Sequence, residues 1–345
     1  MKRLLSCLLL VFIASACNGN LPTVPIVTGT GQPAAIPLTP TGKRLSQPAT
    51  KASSSPTLPG QTSTPIPTAT PAPVPCDLSR SYCIEAGHFF LDRPIALPGT
   101  IVIDRGYPYG STEGETREPH HGVEFYNASG TPVLAAADGL VVAAGDDGRS
   151  IYAFQPDFYG NLIVLEHHFP GMNQPVYTLY GHLSLVEVHI GQTLQGGDEI
   201  GKVGATGAAI GSHLHFEVRL GQDNYDSDRN PVLWLKPLTD EAGNSLGALA
   251  GRLEDTHGKF IHATGVNIQY FPDLNGPQAA AWQVETYAPE EHPVRGDDVW
   301  NENFTLSDVS SGNYRISLIW GGRLYERWIV IPPGQLTFFV FRIDQ

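Results

Sequence analysis

Between residues 18 and 75, half of the 58 positions are Pro, Thr or Ser (13, 11 and 5), and none is aromatic. Such a stretch cannot bury enough apolar surface to offset its ordering entropy, so it predicts a solvated spacer. As a coil it would span about 40 Å on average, and in a polyproline-like form up to roughly 180 Å. A packed core must therefore come from residues 76–345. The charge divides at the same place. All 34 acidic residues lie from Asp77 onward, while five of the 21 basic ones (Lys2, Arg3, Lys43, Arg44, Lys51) lie before it, leaving 16 − 34 = −18 on the foldable part. A surface that negative repels phosphate and disfavours a nucleic-acid partner. The acids are scattered rather than blocked, which disfavours an acidic interaction tail.

Ahead of the spacer, Lys2 and Arg3 precede an apolar run over residues 4–13, broken by Ser6 and Cys7. That run is too short to cross a bilayer as a mature helix. It closes on Ala14-Ser15-Ala16-Cys17. The segment 1–16 resembles a bacterial lipoprotein signal peptide, in which the cysteine, here Cys17, is lipidated and becomes the new N-terminus. Ala14 stands where Leu is usual. An ordinary cleaved signal is the alternative, and either one sends the protein out of the cytoplasm. The resemblance implies an extracytoplasmic protein of the cell envelope, held to the membrane by an N-terminal lipid on Cys17 and carried on the 17–75 linker. Cys76 and Cys83 remain, seven positions apart at the start of the foldable part. In an oxidising compartment this pair is most simply a small structural disulfide. A cysteine-only zinc knuckle would need four such ligands, and a catalytic cysteine is disfavoured.

Residues 76–239 are strand-like. Short β-branched and aromatic runs recur at 100–103, 132–136, 140–144, 161–167, 176–180 and 213–220, many of them separated by Gly, Asp and Asn. Long helical periodicity is absent, which predicts a mainly antiparallel β fold. A further region, 240–345, carries strand candidates at 246–253, 266–270, 304–306, 314–320, 325–331 and 336–343. About six strands in roughly 100 residues predict a small β-sandwich.

The chain has twelve histidines, and the placement of those in the middle region is its most informative feature. His213 and His215 are two apart in a strand-like run, so both rings leave the same face. His120 and Glu124 are four apart around Gly122; in extended chain they share a face, and a bend at the glycine draws them closer. Two imidazoles and one carboxylate suit a catalytic zinc with a fourth position for water. His120, Glu124 and His215 as ligands would leave His182 and His213 free to handle protons.

The ordered segments His120-x-x-x-Glu124, Tyr180-Gly181-His182-Leu183, the glycine run from Gly197 to Gly207 and His213-Leu214-His215-Phe216-Glu217 resemble the lysostaphin-type (LytM-like) zinc metalloendopeptidases, a peptidoglycan hydrolase family. Gly130-Thr131-Pro132-Val133 and Ala135-Ala136-Ala137-Asp138-Gly139 fit the first strands of that core. The resemblance covers about 120 residues and implies a β-rich core with Zn2+ in a groove that cleaves peptidoglycan peptides. By position it makes His120, Glu124 and His215 the metal ligands, and His182 and His213 the catalytic histidines. The family has Asp where this chain has Glu124. Glu is itself a common zinc ligand, reached here through one more methylene. A catalytically silent module that binds wall or activates another hydrolase, and a zinc peptidase for protein substrates, are the other readings.

Several residues carry a plainer expectation. His121 is the register alternative to His120, but its partner four residues on is Phe125, which cannot ligate. Glu217 shares the face of His213 and His215 and is expected behind the ligands or in the groove wall, although a ligand role is geometrically open. Tyr180 is expected to pack rather than line the groove. His167 and His168 are expected at an edge or behind the site. His88, His189, His257, His262 and His292 are expected to be structural or on the surface. The glycines at 201, 204, 207 and 211 lack a following Lys-Ser/Thr and are expected in turns rather than around phosphate. Gly251-Arg252-Leu253 and the run from Asp308 to Tyr314 resemble small transthyretin-like or carboxypeptidase-regulatory modules, which implies a transthyretin-like/Ig-like β-sandwich for residues 240–345.

Overall fold

A computed structural model describes residues 77, 81–114, 116–149, 152–287 and 294–344. The signal, Cys17, the linker, Cys76 and His292 lie outside these residues. Cys83 is disulfide-bonded.

The described chain is nearly all β. It runs through β1 (Cys83–Glu85), β2 (Val123–Tyr126), β3 (Pro132–Leu134), β4 (Gly139–Asp146), β5 (Asn161–His167) and β6 (Val176–Gly181). Then follow β7 (Leu185–Val186), β8 (Thr193–Leu194), β9 (Glu199–Lys202), β10 (His213–Leu220) and β11 (Asp228–Arg229). The last third holds β12 (Gly247–Asp255), β13 (Gly265–Phe271), β14 (Ala280–Glu285), β15 (Phe304–Val309), β16 (Gly312–Trp320), β17 (Arg323–Ile331) and β18 (Leu336–Ile343). Helix is confined to two single 3-10 turns, Tyr225–Ser227 and Pro231–Leu233.

A seven-stranded antiparallel sheet, ordered β11-β10-β6-β5-β4-β8 with β2 added to β10, is the scaffold of the histidine region. β10 is its hub. One edge pairs with β6, and the other is shared by β2 at its start and β11 at its end. A small sheet, β3-β9-β7, packs alongside. One expected strand is not formed. Residues 100–103 run as irregular chain, because the Asn127 side chain occupies both backbone groups of Thr100, accepting from its N–H at 2.7 Å and donating to its carbonyl at 2.9 Å. Ile103 is still buried there, so the apolar signal was real while the strand was not.

The C-terminal region contributes two four-stranded sheets, β1-β18-β12-β15 and β14-β13-β16-β17. The first is buried on both faces. Ala248, Ala250, Leu336, Phe338 and Val340 join the core of the histidine region, while Leu249, Leu253, Phe339, Phe341 and Ile343 join a second core with the outer sheet. Alternation along β12 and β18 sends successive side chains to opposite cores. These strands pair in parallel, from Ala248 with Leu336 to Asp255 with Ile343. Near-continuous apolar sequence is what such two-sided burial requires. β1 comes from the start of the foldable part yet pairs with β18, so the two regions share this middle layer.

Candidate metal centre

β10 carries the site because its sequence has a period of two. Leu214, Phe216, Val218 and Leu220 enter the core, and His213, His215, Glu217 and Arg219 occupy the opposite face. Burying the four apolar side chains is worth about 1.5–3 kcal/mol each, which fixes the register of the polar row.

β2 supplies the carboxylate. Its register places Glu124 directly across from His215 and Tyr126 across from His213. The approach is close at Gly122, where a Cβ would stand 2.5 Å from the Phe216 carbonyl oxygen and 2.8 Å from His215 Nε2. Only glycine fits that contact. His120, just before it, stacks on Tyr107 with ring centroids 4.2 Å apart.

His182 follows β6 with φ at +62°, a left-handed conformation uncommon for a non-glycine residue and characteristic of functional sites. Its N–H donates to the Tyr159 carbonyl at 2.8 Å, and its ring Nδ1 lies 2.9 Å from the Thr206 carbonyl. The Thr206 turn can come this near because Gly207 allows it: a Cβ there would be 2.4 Å from the Gly160 nitrogen.

The five sequence-predicted residues thus meet. His120, Glu124, His182, His213 and His215 line one cavity of about 600 Å3. His120 Nε2 is 3.2 Å from His215 Nδ1 and 3.6 Å from Glu124 Oε1, and Glu124 Oε1 is 3.4 Å from His213 Nε2. The rings of His182 and His213 sit with centroids 4.8 Å apart.

The outer partner of each ring assigns its tautomer. His120 Nδ1 is 2.7 Å from the Tyr107 carbonyl, which can only accept, so the proton is on Nδ1. His215 Nε2 is 3.1 Å from Glu217 Oε1, which assigns that proton to Nε2. His213 Nδ1 faces the Gly211 carbonyl at 3.2 Å, as His182 Nδ1 faces that of Thr206. Every inward nitrogen therefore presents a lone pair. Burial disfavours charge on three of these rings: it lowers His120 well below the ordinary histidine range, brings His182 down to about 3, and lowers His213 despite the opposing pull of Glu124.

Lone pairs on His120 and His215, 3.2 Å apart and beside a carboxylate, repel one another unless a cation stands among them. The ligand atoms of His120, Glu124 and His215 all lie within 4.8 Å of one another. Two neutral imidazoles and a carboxylate are donors that suit Zn2+, so the residues present fit that ion.

Behind His215, Glu217 and Arg219 form a buried pair, with Arg219 Nε donating to Glu217 Oε2 at 2.8 Å and the Tyr159 hydroxyl donating to Glu217 Oε1. Burial alone would raise the Glu217 carboxyl, but Arg219 and His215 hold it well below the usual carboxylate range. His121 points away from the ligands, with Nδ1 3.2 Å from Asp228 Oδ2 and its ring stacked on Tyr225, and Phe125 is a core residue. Tyr180 packs, as expected, its hydroxyl accepting from the Ala136 N–H. His167 is bound to Thr178 and the Asp138 carbonyl, and His88 pairs with Asp297. Sequence reasoning did not single out Tyr107 or Tyr159 and took Thr206 only as part of the glycine run, because these residues act from loops through partners distant in sequence.

Residues 118–227 match the family model of peptidase family M23. This stretch is an M23 peptidase domain. The M23 match spans every one of the five groove residues, from His120 to His215. DD-carboxypeptidase/endopeptidase Mpg of Neisseria meningitidis is 38% identical over 149 residues, 43% of this chain and 30% of that protein. Peptidoglycan DD-endopeptidase ShyB of Vibrio cholerae is 36% identical over 127 residues, 37% of this chain and 26% of its own length. The chain thus spans less than a third of either relative. Among solved structures, the catalytic domain of lysostaphin from Staphylococcus simulans aligns with 38% of this chain and 88% of its own, at 30% identity and a TM-score of 0.31.

Proposed function

We propose that the chain is a zinc-dependent endopeptidase that hydrolyses peptide bonds in peptidoglycan. The observation that carries this reading is the convergence of inward lone pairs of His120 and His215 on the Glu124 carboxylate, with two further neutral histidines beside them. His120 Nε2, His215 Nδ1 and Glu124 would hold the ion. Zinc, when bound, supplies Lewis-acid polarisation of a carbonyl and a lowered pKa for water. His182 and His213 present Nε2 as acceptors, so either can take a proton from the attacking water. The acceptor, once charged, can then donate that proton to the leaving amine. The carbonyls of Thr206 and Gly211 hold the two rings in that orientation throughout.

The peptidoglycan substrate is supported by the named activity of ShyB, and the charge of −18 on residues 76–345 disfavours nucleic acid as an alternative. Further parts of the reading rest on sequence: export, lipidation at Cys17 with membrane attachment, a Cys76–Cys83 disulfide, and domains at 76–239 and 240–345, the latter a transthyretin-like/Ig-like β-sandwich. A common core between the two C-terminal sheets supports the sandwich. Zymography on purified cell wall tests the activity. Clearing that a chelator abolishes and zinc restores is expected. No clearing by zinc-loaded protein would favour the silent wall-binding module.

A further inference from the structure

We propose that a second cavity, between the 103–114 loop and strands β14 and β15, binds the extended peptide leaving the histidine groove, with Glu285 receiving a primary amine on that peptide. The identity of the peptide rests on the peptidase reading above; the cavity and its charge do not. Its volume is about 610 Å3, against about 600 Å3 for the histidine groove. Asp104, Gly106 and Glu113 line both, so one ridge of chain separates them. A substrate long enough to pass its cleaved bond through the first meets the second.

The far wall suits an extended chain. β14 and β15 each end their sheets, paired on one side only. A free strand edge takes up a peptide through main-chain hydrogen bonds, while pockets beside it read the side chains. Val284 and Leu306 give the cavity an apolar wall for the peptide's aliphatic parts.

The charges at its rim select the ligand. Asp104 Oδ2 accepts from the Gly106 N–H at 2.8 Å, Glu113 pairs with Arg117 at 3.0 Å, and Asp308 pairs with Arg93 at 2.7 Å. The cation of the cavity, Arg105, is occupied by the Ser307 carbonyl at 2.7 Å and lies over the Trp282 ring at 5.7 Å. Glu285 is exposed and has no side-chain partner among the described residues. A carbonyl does not cancel the charge of Arg105. The four carboxylates of the cavity (Asp104, Glu113, Glu285 and Asp308) still exceed Arg105 and the two pairing cations, Arg93 and Arg117, by one. The excess charge is therefore negative, and its complement is a cation. On a peptide, the flexible cation that also accepts chemical masking is a primary amine.

The test uses the full-length chain and one probe in two forms: a peptide from purified peptidoglycan with its side-chain amine free or acetylated. Wild type should show a KM about two- to fivefold lower for the free-amine form, the size of one exposed charge contact. Glu285→Lys should raise the KM for the free-amine probe to at least that of the acetylated one, and Glu285→Gln should fall between. Equal KM values for the two probes in wild type, or a difference that survives Glu285→Lys, overturns the proposal while leaving the peptidase reading intact. If neither probe is cleaved, calorimetric binding of both forms to wild type and Glu285→Lys makes the same comparison. Amine-dependent binding then supports the site although the peptidase reading has failed, and amine-independent binding overturns it.

Discussion

Glu217 Oε1 lies 3.1 Å from Nε2 of His215, on the side of the ring away from His120, and its other oxygen takes the Nε of Arg219 at 2.8 Å. The carboxylate fixes which nitrogen of His215 is free and makes that nitrogen a better donor. Glu217→Gln should weaken zinc binding about 10- to 100-fold, read by chelator competition. It should also destabilise the fold, on the order of 3 kcal/mol, because Arg219 is left buried without its counter-charge. Unchanged zinc affinity in a folded Glu217→Gln protein would remove the carboxylate from the metal's support.

Glu124 faces His215 across the β2–β10 pair and approaches both His120 and His213. Glu124→Gln should lose most zinc affinity and most activity, since a neutral amide is a poor partner for a divalent cation. Glu124→Asp should keep the metal if β2 can move by about one bond length. Metal content by elemental analysis, set beside wall-clearing activity, decides between a ligand and a bystander.

Gly122→Ala would place a methyl carbon 2.5 Å from the Phe216 carbonyl oxygen. The start of β2 should shift off β10, at a cost of about 1–3 kcal/mol. A lower Tm together with weaker zinc binding is the expected result. A lower Tm with full zinc affinity would uncouple strand spacing from the site.

A pH dependence of stability should arise at Glu302. Burial, and then the neighbouring Asp297 carboxylate, push its carboxyl from the ordinary 4.5 up to about 8. The Tyr287 hydroxyl donates to it at 2.5 Å and the Asp297 N–H at 2.8 Å. Between these pH values the folded chain keeps a proton that the unfolded chain has lost. This contribution is complete below about pH 4.5 and disappears as pH rises through about 8, amounting to a few kcal/mol at most. Denaturant unfolding across that window should show the decline in wild type and a flatter profile in Glu302→Gln.

The parts of the site that follow strand alternation were legible in the sequence. His213, His215 and Glu217 are spaced two apart between core residues, so one register decides them all. Three expected strands, β5, β10 and β18, fall residue for residue where the runs predicted them. What was not legible depends on contacts between distant segments. Asn127 replaces a strand partner at Thr100, and Tyr107 and Thr206 orient rings from loops. β14 was missed because its alternation of half-buried Trp282 and Val284 with exposed residues lies in polar surroundings. The apolar character of β12 and β18 did carry a signal of burial on both faces, but a sandwich reading needs only one.

That two-faced sheet sets where the chain can be cut. A fragment ending at residue 239 would lose Ala248, Ala250, Leu336, Phe338 and Val340 from the core that supports the histidines, and would leave β1 with no strand to pair with. Transplanting the M23 domain into another protein, or trimming it for production, therefore requires carrying β12 and β18 along. One sheet serves as wall to two cores, so neither half closes without it.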